Sequence, residues 1–472
     1  MRIGVRLDAR ELHAALLDGD RVHGAATAPV SGAAFPHAAA DRALRGLIAA
    51  AAAPVTSVTW DISGRLAAAL TTATSERSTH LGSTRGDDAS ACGEDQQAAA
   101  AVRPVGALRL VPRPPAVPAA GDHPAPLVRA LVAGRGSAPG GHDLFGTELA
   151  PLDRAAVLRR AETMTRAGLT TVAVTATGAT ARPDHELEAA AAILDRFPRL
   201  RLCLSHETGG LGLLEREATT VINAALLDPA EALISGGEQT TKALPGAPAC
   251  WFATSDGGRV SGRRLSWLPV LGLAASGAAA LTAAARLAGT PDALVLLIAG
   301  GALTVGQVRE GLPHVEADLP GVEGVRIAAP QPVLSTAPAR CGGTALLAAR
   351  SRHTADVIAV QDEAQARVAE DFLRLTHGQA RLLRPDADLA AAGAACTEPG
   401  AWLDLLVPVG TGQTLPEVQL QAEQRALDLV AAHGAEPGSA RIVRSSATAV
   451  GYLLIYRLQI RAVSTPVPGA AP

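Results

Sequence analysis

Residues 151–204 have the sequence PLDRAAVLRRAETMTRAGLTTVAVTATGATARPDHELEAAAAILDRFPRLRLCL, in which helical and strand-like segments alternate. Asp153 can cap a helix that ends at Gly168, and a strand is expected from Thr170 to Thr175. A second helix, from about Asp184 to Phe197, leads into the final strand of the segment. This alternation is typical of an α/β protein in which helices cover layered sheets.

Similar elements are expected towards both ends of the chain. Arg2–Leu7 and His13–Leu17 predict a β-hairpin start, followed by a turn at Asp18-Gly19-Asp20. The polar stretch from Glu76 to Gln97 predicts a loop with only marginal helix, and Pro112–Pro126 an irregular connection. Further elements are predicted over 38–52 (helix), 57–62 (strand), 269–298 (a long helix, then a strand from Ala293), 415–433 (helix) and 449–463 (one long strand).

The composition indicates a large globular protein. With 472 residues, of which 48% are hydrophobic and only 2% aromatic, the chain should form two or three units whose cores are filled by Leu, Val and Ala. A net charge of -3 without a long basic run argues against binding to nucleic acid or an acidic membrane surface. The uncharged segment from Leu268 to about Ala285 predicts a buried Ala-rich helix rather than a membrane span.

The five cysteines, at positions 92, 203, 250, 341 and 396, are scattered and form neither a metal-ligand pair nor a disulfide framework. Met1 leads directly into a strand-like segment that contains Arg2 and Arg6, without the apolar region of a signal peptide. A reducing, cytoplasmic location is therefore expected.

Short motifs occur in a fixed order through the middle of the chain. Leu204-Ser205-His206-Glu207 is followed by GLLERE over 212–217 and NAAL over 223–226, and GGHD over 140–143 precedes APLD over 150–153. These segments resemble the hydantoinase/oxoprolinase family, and similar stretches occur at Asp256-Gly257 and Ala275-Ser276-Gly277. The resemblance covers most of the chain and is weakest from about Pro338 to Leu382.

The resemblance implies an actin-like, ribonuclease H-like fold of two lobes, with a small C-terminal α+β segment. We expect lobes over 1–200 and 201–400 and the C-terminal segment over 401–472. Family members couple ATP cleavage to the opening of a cyclic amide such as 5-oxoproline or a hydantoin. ATP, Mg²⁺ and a small cyclic amide are therefore the implied ligands, and a second subunit or a homo-oligomer is the implied assembly.

The two phosphate-binding turns of such a fold depart from the family pattern. In the first, Arg6 replaces an Asp, and Asp8-Ala9-Arg10 replaces Gly-Gly-Thr, so that only Asp8 could substitute for the missing acid. In the second, at 297–304, the family pattern has Asp at both ends, where this chain has Leu297 and Thr304. Gly300 and Gly301 still permit close backbone approach. Because Mg²⁺ requires oxygen ligands, the nucleotide site is expected to be degenerate.

A third glycine-rich turn, which contacts adenosine in relatives, would fall at 360–363, where the glycines are missing.

Ser205, His206 and Glu207 follow a strand end, where open α/β sheets usually bind ligands. One interpretation is a substrate or acid–base site in which His206 exchanges protons near neutral pH. The other is that these side chains only tie the strand to the next helix. Both stay open at this stage.

The remaining site candidates also have two interpretations. Glu215 and Asn223 belong to the matched block and are candidate catalytic residues, with Arg216 a candidate substrate ligand. With Glu217, they could instead form a solvated or ion-paired helix face. His142 and Asp143 follow two glycines and fit either a mobile substrate-binding loop or a plain turn, or a metal site shared with His206 and Glu207.

Three functions are consistent with the sequence. The resemblance implies an ATP-dependent hydrolase of a cyclic amide. The altered phosphate turns favour an inactive relative that acts as a binding or regulatory protein. A hydrolase that no longer uses ATP, with its site at Ser205–Glu207, is the third.

Overall fold

The computed structural model describes residues 1–82, 101–115, 122–210, 212–338, 355–361, 366–375, 380–410, 412–451 and 455–464. The α-helices are α1 (His37–Ala49), α2 (Ser63–Gly82), α3 (Pro126–Leu131), α4 (Arg154–Arg166), α5 (Asp184–Arg196), α6 (Ser205–Thr208), α7 (Leu213–Lys242), α8 (Gly262–Trp267), α9 (Ala275–Leu287), α10 (Ala366–Leu375), α11 (Leu389–Cys396) and α12 (Leu415–Ala432). The strands are β1 (Arg2–Leu7), β2 (Glu11–Asp18), β3 (Arg21–Pro29), β4 (Ser57–Asp61), β5 (Val105–Val111), β6 (Val132–Pro139), β7 (Thr171–Ala176), β8 (Arg201–Leu204), β9 (Ala249–Ala253), β10 (Arg259–Val260), β11 (Ala293–Ala299), β12 (Ala302–Arg309), β13 (Leu312–Pro313), β14 (Val315–Glu316), β15 (Leu319–Pro320), β16 (Arg326–Ile327), β17 (Gln331–Pro332), β18 (Leu334–Pro338), β19 (Val357–Val360), β20 (Arg381–Leu383), β21 (Gly400–Pro408), β22 (Ala440–Ala449) and β23 (Ile455–Ser464).

The first sheet has the strand order β3, β2, β1, β4, β9 and β10. The strands β1 to β3 form antiparallel hairpins, whereas β4 is parallel to β1 and β9 is parallel to β4. Ile3, Val5 and Leu7 of β1 are fully buried, which fixes this strand in the centre of the sheet. The predicted N-terminal hairpin is confirmed. The sheet contains strands that come before residue 200 in the sequence, β1 to β4, and strands that come after it, β9 and β10 at 249–260.

The second sheet repeats this arrangement. Its order is β13, β12, β11, β19 and β20, with β18 also paired to β12. Again the first two strands, β11 and β12, are antiparallel, and the later strands β19 and β20 continue in parallel. Two sheets with this order are the repeat expected of an actin-like, ribonuclease H-like fold, so the α/β prediction is confirmed. The parallel strands β19 and β20 are present, although they lie in or next to the segment from about Pro338 to Leu382 where the family resemblance is weakest.

A third sheet lies between β4 and β9 along the chain. It consists of the parallel strands β6, β5, β7 and β8, and its core is formed with α4 and α5. The predicted start of α4 is confirmed, because the Asp153 carboxylate accepts a hydrogen bond of 2.8 Å from the backbone N–H of Ala156. The C-terminal sheet, with order β21, β23 and β22, packs on α12 as the expected α+β segment.

Two predictions of local structure are wrong in part. The helix α2 continues to Gly82, into the start of the stretch Glu76–Gln97 expected to be a loop with only marginal helix, and Ser63–His80 contains only one glycine and no proline to end it. Residues 83–97 lie outside the described residues. The expected strand from Ala449 to Val463 is instead part of a hairpin. Ala449 ends β22 and Ile455 begins β23, and the two strands pair antiparallel. Gly451, directly after β22, has a positive φ of 59°, which favours a turn there.

The uncharged segment after Leu268 forms a short 3₁₀ turn, Pro269–Gly272, and then α9, whose alanines are buried as predicted. Within the residues that the structure describes, no helix is long and apolar enough to cross a membrane.

The buried helix α11 joins the first sheet to α9. Its residues are mostly alanine and all are buried, and Gly393 lies directly against the Ala279 carbonyl of α9. On its other side, Gly4 of β1 lies equally close to the Ala391 carbonyl. Small residues therefore permit a backbone separation that larger side chains would prevent.

We expect Gly393→Ala to destabilise the protein by about 1–3 kcal/mol, because the added methyl group would overlap the Ala279 carbonyl and force the helices apart. Urea unfolding followed by circular dichroism measures this change. Gly46→Ala is the control, because Gly46 lies in a helix with open space around it. An unchanged free energy of unfolding in Gly393→Ala would contradict the close packing.

Candidate active site

A buried carboxylate organises the end of β8. Glu186, in the first turn of α5, is 0% exposed. It accepts hydrogen bonds from Ser205 Oγ at 2.6 Å, His206 Nδ1 at 2.7 Å and the backbone N–H of His206 at 3.0 Å. A fourth hydrogen bond, of 2.7 Å, comes from the backbone N–H of Ala176 at the end of β7. The carboxylate thus joins the carboxyl ends of two neighbouring strands.

This contact sets the role of each nitrogen in the His206 ring. Because the Glu186 carboxylate accepts a hydrogen bond from Nδ1, the proton of the neutral imidazole lies on Nδ1. Nε2 therefore has a lone pair that can accept a proton. The His206 side chain is 19% exposed, whereas the Glu186 side chain is fully buried. The geometry therefore combines a buried orienting carboxylate with an accessible base, which is the arrangement that general acid–base chemistry requires.

Glu186 is a site residue that sequence reasoning missed. In α5 it shares a buried stripe with Ala189, Ala190 and Ile193. These positions have helical spacing, so a carboxylate among them has to find partners inside the protein. That charged residue on an otherwise apolar stripe is the signal that could have identified it.

Arg216 lies on the other side of Ser205. Its guanidinium donates to the Ala176 carbonyl at 2.7 Å and to Ser205 Oγ at 3.4 Å, and it is 2% exposed. Burial lowers the pKa of Arg216, an effect that the charge of Glu186 opposes. The expectation of a solvated helix face is wrong here, because this side of α7 packs against β7 and β8.

The neighbouring residues of α7 have different surroundings. Glu217 is also buried, and it is ion-paired with Arg109 and with Arg135, the latter at 2.5 Å. Glu215 lies in the first turn of α7 and is partly exposed. Only the ion-paired alternative therefore applies to Glu217.

Asn223 lies two turns further along α7 and is 1% exposed. Its side-chain oxygen accepts from the backbone N–H of Val270 at 3.2 Å, and its nitrogen donates to the Trp267 carbonyl at 3.2 Å. These bonds hold the connection between α8 and the 3₁₀ turn, so the contacts of Asn223 are structural.

His206 and Glu207 open onto a cleft of about 260 Å³ between the third sheet and the C-terminal unit. Its lining residues include Thr180, His206, Glu207, Gly209, Gly210 and Arg264 and, from the C-terminal unit, Trp402, Asp404, Arg425 and His433. Burial raises the pKa of the Glu207 carboxyl, which accepts a hydrogen bond of 3.0 Å from Trp267 Nε1. The cleft therefore contains a base and an acid that retains its proton to higher pH than usual.

His433 gives the cleft region a pH dependence. Burial lowers the pKa of His433 below its ordinary value of 6.5, despite a hydrogen bond from Nδ1 to the Gly400 carbonyl. A histidine with a lowered pKa in the folded state binds its proton more tightly when the chain is unfolded. Its contribution to stability is therefore complete above pH 6.5 and is lost as the pH falls through the lowered value.

We expect the free energy of unfolding to fall between pH 7 and pH 5 by a larger amount in the wild type than in His433→Asn. Urea unfolding at each pH measures the free energy of unfolding of both proteins. Subtracting the variant's pH profile from that of the wild type removes the contributions of the groups that the two proteins share. His23→Asn, changed at an exposed position of β3, is the matched control. Parallel pH profiles for the wild type and His433→Asn would contradict this prediction.

The His142 loop lies beside α5, near the cluster around Glu186. The His142 ring packs against His185 with ring centroids 4.2 Å apart, and His185 Nδ1 accepts from the backbone N–H of Gly141 at 2.8 Å. Asp143 accepts from the backbone N–H groups of Phe145 and Thr147, both at 2.8 Å, so its carboxylate stabilises its own turn. Across the part of the chain that the structure describes, no group of three or more His, Cys, Asp or Glu could hold a metal ion.

At the first phosphate turn, an arginine occupies the centre. Arg6 is ion-paired with Asp8 at 2.6 Å and with Asp388, at the N-terminus of α11, at 2.7 Å. Asp8 also caps its own turn by accepting from the backbone N–H of Ala9. Burial acts to lower the pKa of Arg6, but Asp388 and Asp8 outweigh it and raise the pKa. Both carboxylates are thus already ion-paired with one cation of the protein itself.

A third acid lies beside Arg6. Asp61, at the end of β4, is 0% exposed and accepts from Ser63 Oγ at 2.6 Å, from the Ser63 backbone N–H at 3.0 Å and from Ser276 Oγ. Burial raises the pKa of Asp61, and the hydrogen bonds from Ser276 and Ser63 oppose that effect. Its lone pairs point into the protein.

The second phosphate turn is the two-residue turn between β11 and β12. Gly300 and Gly301 both have positive φ, of 56° and 79°, as a tight hairpin turn of this kind requires. Leu297 and Thr304 are directly paired across the strands, and Thr304 Oγ1 lies 3.1 Å from Thr336 Oγ1 of β18. A turn is thus present at the predicted position, and Leu297 and Thr304 at its ends carry no carboxylate.

The two turns differ in their ligands for a cation. Mg²⁺ needs oxygen ligands, usually including one or two carboxylates. At the first turn the carboxylates of Asp8 and Asp388 are paired with Arg6, and at the second turn the Leu297 side chain has no oxygen. Of the third turn, Val360 ends β19 and Gln361 follows it, whereas Asp362 and Glu363 lie outside the described residues.

Comparison with known proteins gives a likeness of fold. No family model matches the chain, and no curated protein matches it. Among solved structures, an ATP-dependent caprolactamase from Pseudomonas jessenii superposes with a TM-score of 0.69 at 14% identity, covering 100% of this chain and 89% of that chain. The nucleotide-free structure of an acetone carboxylase, described as carboxylating acetone in an ATP-dependent manner, gives a TM-score of 0.62 at 10% identity, covering 99% of this chain and 88% of that chain. The chain therefore shares, over nearly its full length, the α/β fold of these two ATP-dependent enzymes.

Proposed function

We propose that the protein is a hydrolase of the hydantoinase/oxoprolinase type that opens a small cyclic amide at the His206 cleft. The observation that carries the proposal is the buried Glu186, which orients His206 at the carboxyl end of β8 while Nε2 remains available to the cleft. The ordered Ser205 to Asn223 motif block and the fold shared with an ATP-dependent caprolactamase both support it.

The side chains of the cleft supply the proton transfers that ring opening needs. His206 Nε2 accepts a proton from water as its oxygen bonds to the ring carbonyl carbon. The carbon–nitrogen bond then breaks, and the Glu207 carboxyl, whose pKa is raised by burial, gives its proton to the departing nitrogen. Transfer of the proton from His206 to Glu207 through solvent restores both groups. Glu186 acts by holding the His206 ring in one tautomer.

ATP dependence is the part of the family resemblance that these residues support least. The proposed hydrolysis therefore uses no step that passes through a nucleotide. A second candidate function, an inactive relative that binds a ligand or partner, is favoured by Arg6, which forms ion pairs with both Asp8 and Asp388 at the first turn. Hydrolysis of 5-oxoproline and hydantoins, assayed with and without ATP and Mg²⁺, distinguishes these functions. Turnover without nucleotide supports the proposal, turnover only with nucleotide supports the ATP-dependent form, and the absence of turnover on every ring supports the inactive relative.

We expect ATP with Mg²⁺ to leave the melting temperature unchanged, because Arg6 and Leu297 replace the anionic ligands of the metal. A nucleotide present at one hundred times its dissociation constant would stabilise the protein by about 2.7 kcal/mol, which thermal unfolding detects readily. Mg²⁺ alone and ATP with a chelator are the controls. A saturable rise in melting temperature with the complex would contradict the prediction.

We also propose where the protein acts and how it assembles. Cys203, Cys250 and Cys396 are free thiols, which supports a reducing cytoplasm. A second subunit or a homo-oligomer follows from the family resemblance, and sedimentation of the purified chain alone and with candidate partners tests it.

A further inference from the structure

A groove of about 360 Å³ lies where the β12–β13 turn meets the C-terminal sheet. Its ionisable lining residues are Arg309, Glu310, His314, Arg444 and Arg461, and Trp402 provides an aromatic wall. The lining of the groove thus contains three arginines and only one carboxylate. A volume of this size is within the range of about 300–1,000 Å³ that is usual for small-molecule sites.

The sheet register aligns the key side chains. Trp402 of β21 is paired with Arg461 of β23, and Arg461 is paired on its other side with Arg444 of β22. Residues that are directly opposite point to the same face of a sheet, so the three side chains form one row. The neighbouring residues Leu403 and Ile460 pack in the core with α12, although Ile460 also borders the groove. Strand β22 has a bulge between Ile442 and Arg444, and its pairing with β23 resumes at Arg444.

Among the described residues, neither Arg444 nor Arg461 forms an ion pair within 4.0 Å with an Asp or Glu carboxylate, although the charge of Asp256 acts on Arg461. Like charges directly opposite on neighbouring strands are destabilising. Arg461 donates to the backbone carbonyls of Pro313, at 2.7 Å, and Asp256. Since a guanidinium has five N–H donors, these two bonds leave others for a ligand.

We propose that the Trp402–Arg461–Arg444 row binds a small organic anion. Its carboxylate or phosphate group is held by the two guanidinium groups, whose forked donors match both anions. Its flat or apolar portion packs on the Trp402 ring. The groove is separate from the His206 cleft, although Trp402 lines both, and this assignment does not depend on the proposed hydrolysis.

Titration of the full chain with phenyl phosphate and benzoate, followed by tryptophan fluorescence and by thermal unfolding, tests the assignment. We expect saturable binding of both anions and none of the neutral analogue benzamide. Loss of one charge-assisted contact weakens binding by about tenfold or more, so Arg444→Gln should raise the dissociation constant by that factor. Trp402→Phe should remove the fluorescence change while the thermal shift persists.

Arg441→Gln is the matched control, since Arg441 is an exposed arginine on the same strand that does not line this groove. Arg444 is exposed as well, so its replacement should leave folding intact, whereas Arg461→Gln also removes bonds to two carbonyls. Equal dissociation constants in the wild type and Arg444→Gln, or no saturable response of the wild type to either anion, would overturn the assignment.

Discussion

His206→Asn is expected to lower the rate of cyclic-amide hydrolysis by about 10²–10⁴-fold, because the variant loses the group that accepts the proton of the attacking water. The fold should be unaffected, since His206 is partly exposed and asparagine can still donate to Glu186. The measurement is kcat and KM for the best substrate found among 5-oxoproline and hydantoins, together with the melting temperature.

Two further variants separate chemistry from structure. Glu186→Gln keeps the size of the side chain but loses the anion that fixes the His206 tautomer, so we expect a fall in kcat with a smaller change in KM. His23→Asn removes an exposed histidine of β3 and should leave both constants unchanged. Wild-type kcat in His206→Asn would rule out the proposed base.

The largest expected loss of stability follows from Glu217→Ala. The Glu217 carboxylate is 2% exposed and pairs with Arg109 of β5 and Arg135 of β6, so its removal leaves two half-buried cations without their shared anion. Breaking a buried ion pair from one side costs about 3–5 kcal/mol. Urea unfolding followed by circular dichroism measures the decrease in the free energy of unfolding.

Glu231→Ala provides the comparison within the same helix. Glu231 is 71% exposed and lies 3.7 Å from Arg201, and exposed pairs of this kind contribute only about 0–1 kcal/mol. Equal losses in the two variants would show that the Glu217 pairs do not stabilise the contact between α7 and the third sheet.

The elements of regular structure were largely predictable. Asp153 and Gly168 mark the bounds of α4, and the β-hairpin between Arg2 and Leu17 follows from its strand residues. The predictions failed where the deciding signal was weak. The polar residues after Glu76 lack the apolar periodicity of a helix, and the turn at Gly451 separates strands of similar composition.

The candidate site was predictable only in part. Ser205, His206 and Glu207 were identified from a motif next to a strand end. His206 and Glu207 line a cleft, whereas Ser205 is fully buried and donates a hydrogen bond to Glu186. Glu186 was missed because it is 20 positions from His206 in sequence and belongs to another helix. Arg216 and Glu217 share polar composition with an exposed helix face, so their burial against the third sheet could not be deduced from spacing alone.

Local physical chemistry is therefore sufficient for the α/β class and for the strand and helix order, because capping, periodicity and turn formation act over a few neighbouring positions. The altered residues of the phosphate turns were found from the family resemblance instead. The pairing of Glu186 with His206, the union of Arg6 with Asp388 and the row formed by Trp402, Arg461 and Arg444 are decided only in the folded chain. These contacts join residues from separate elements, and their energies depend on burial and on strand register, which exist only once the sheets have packed.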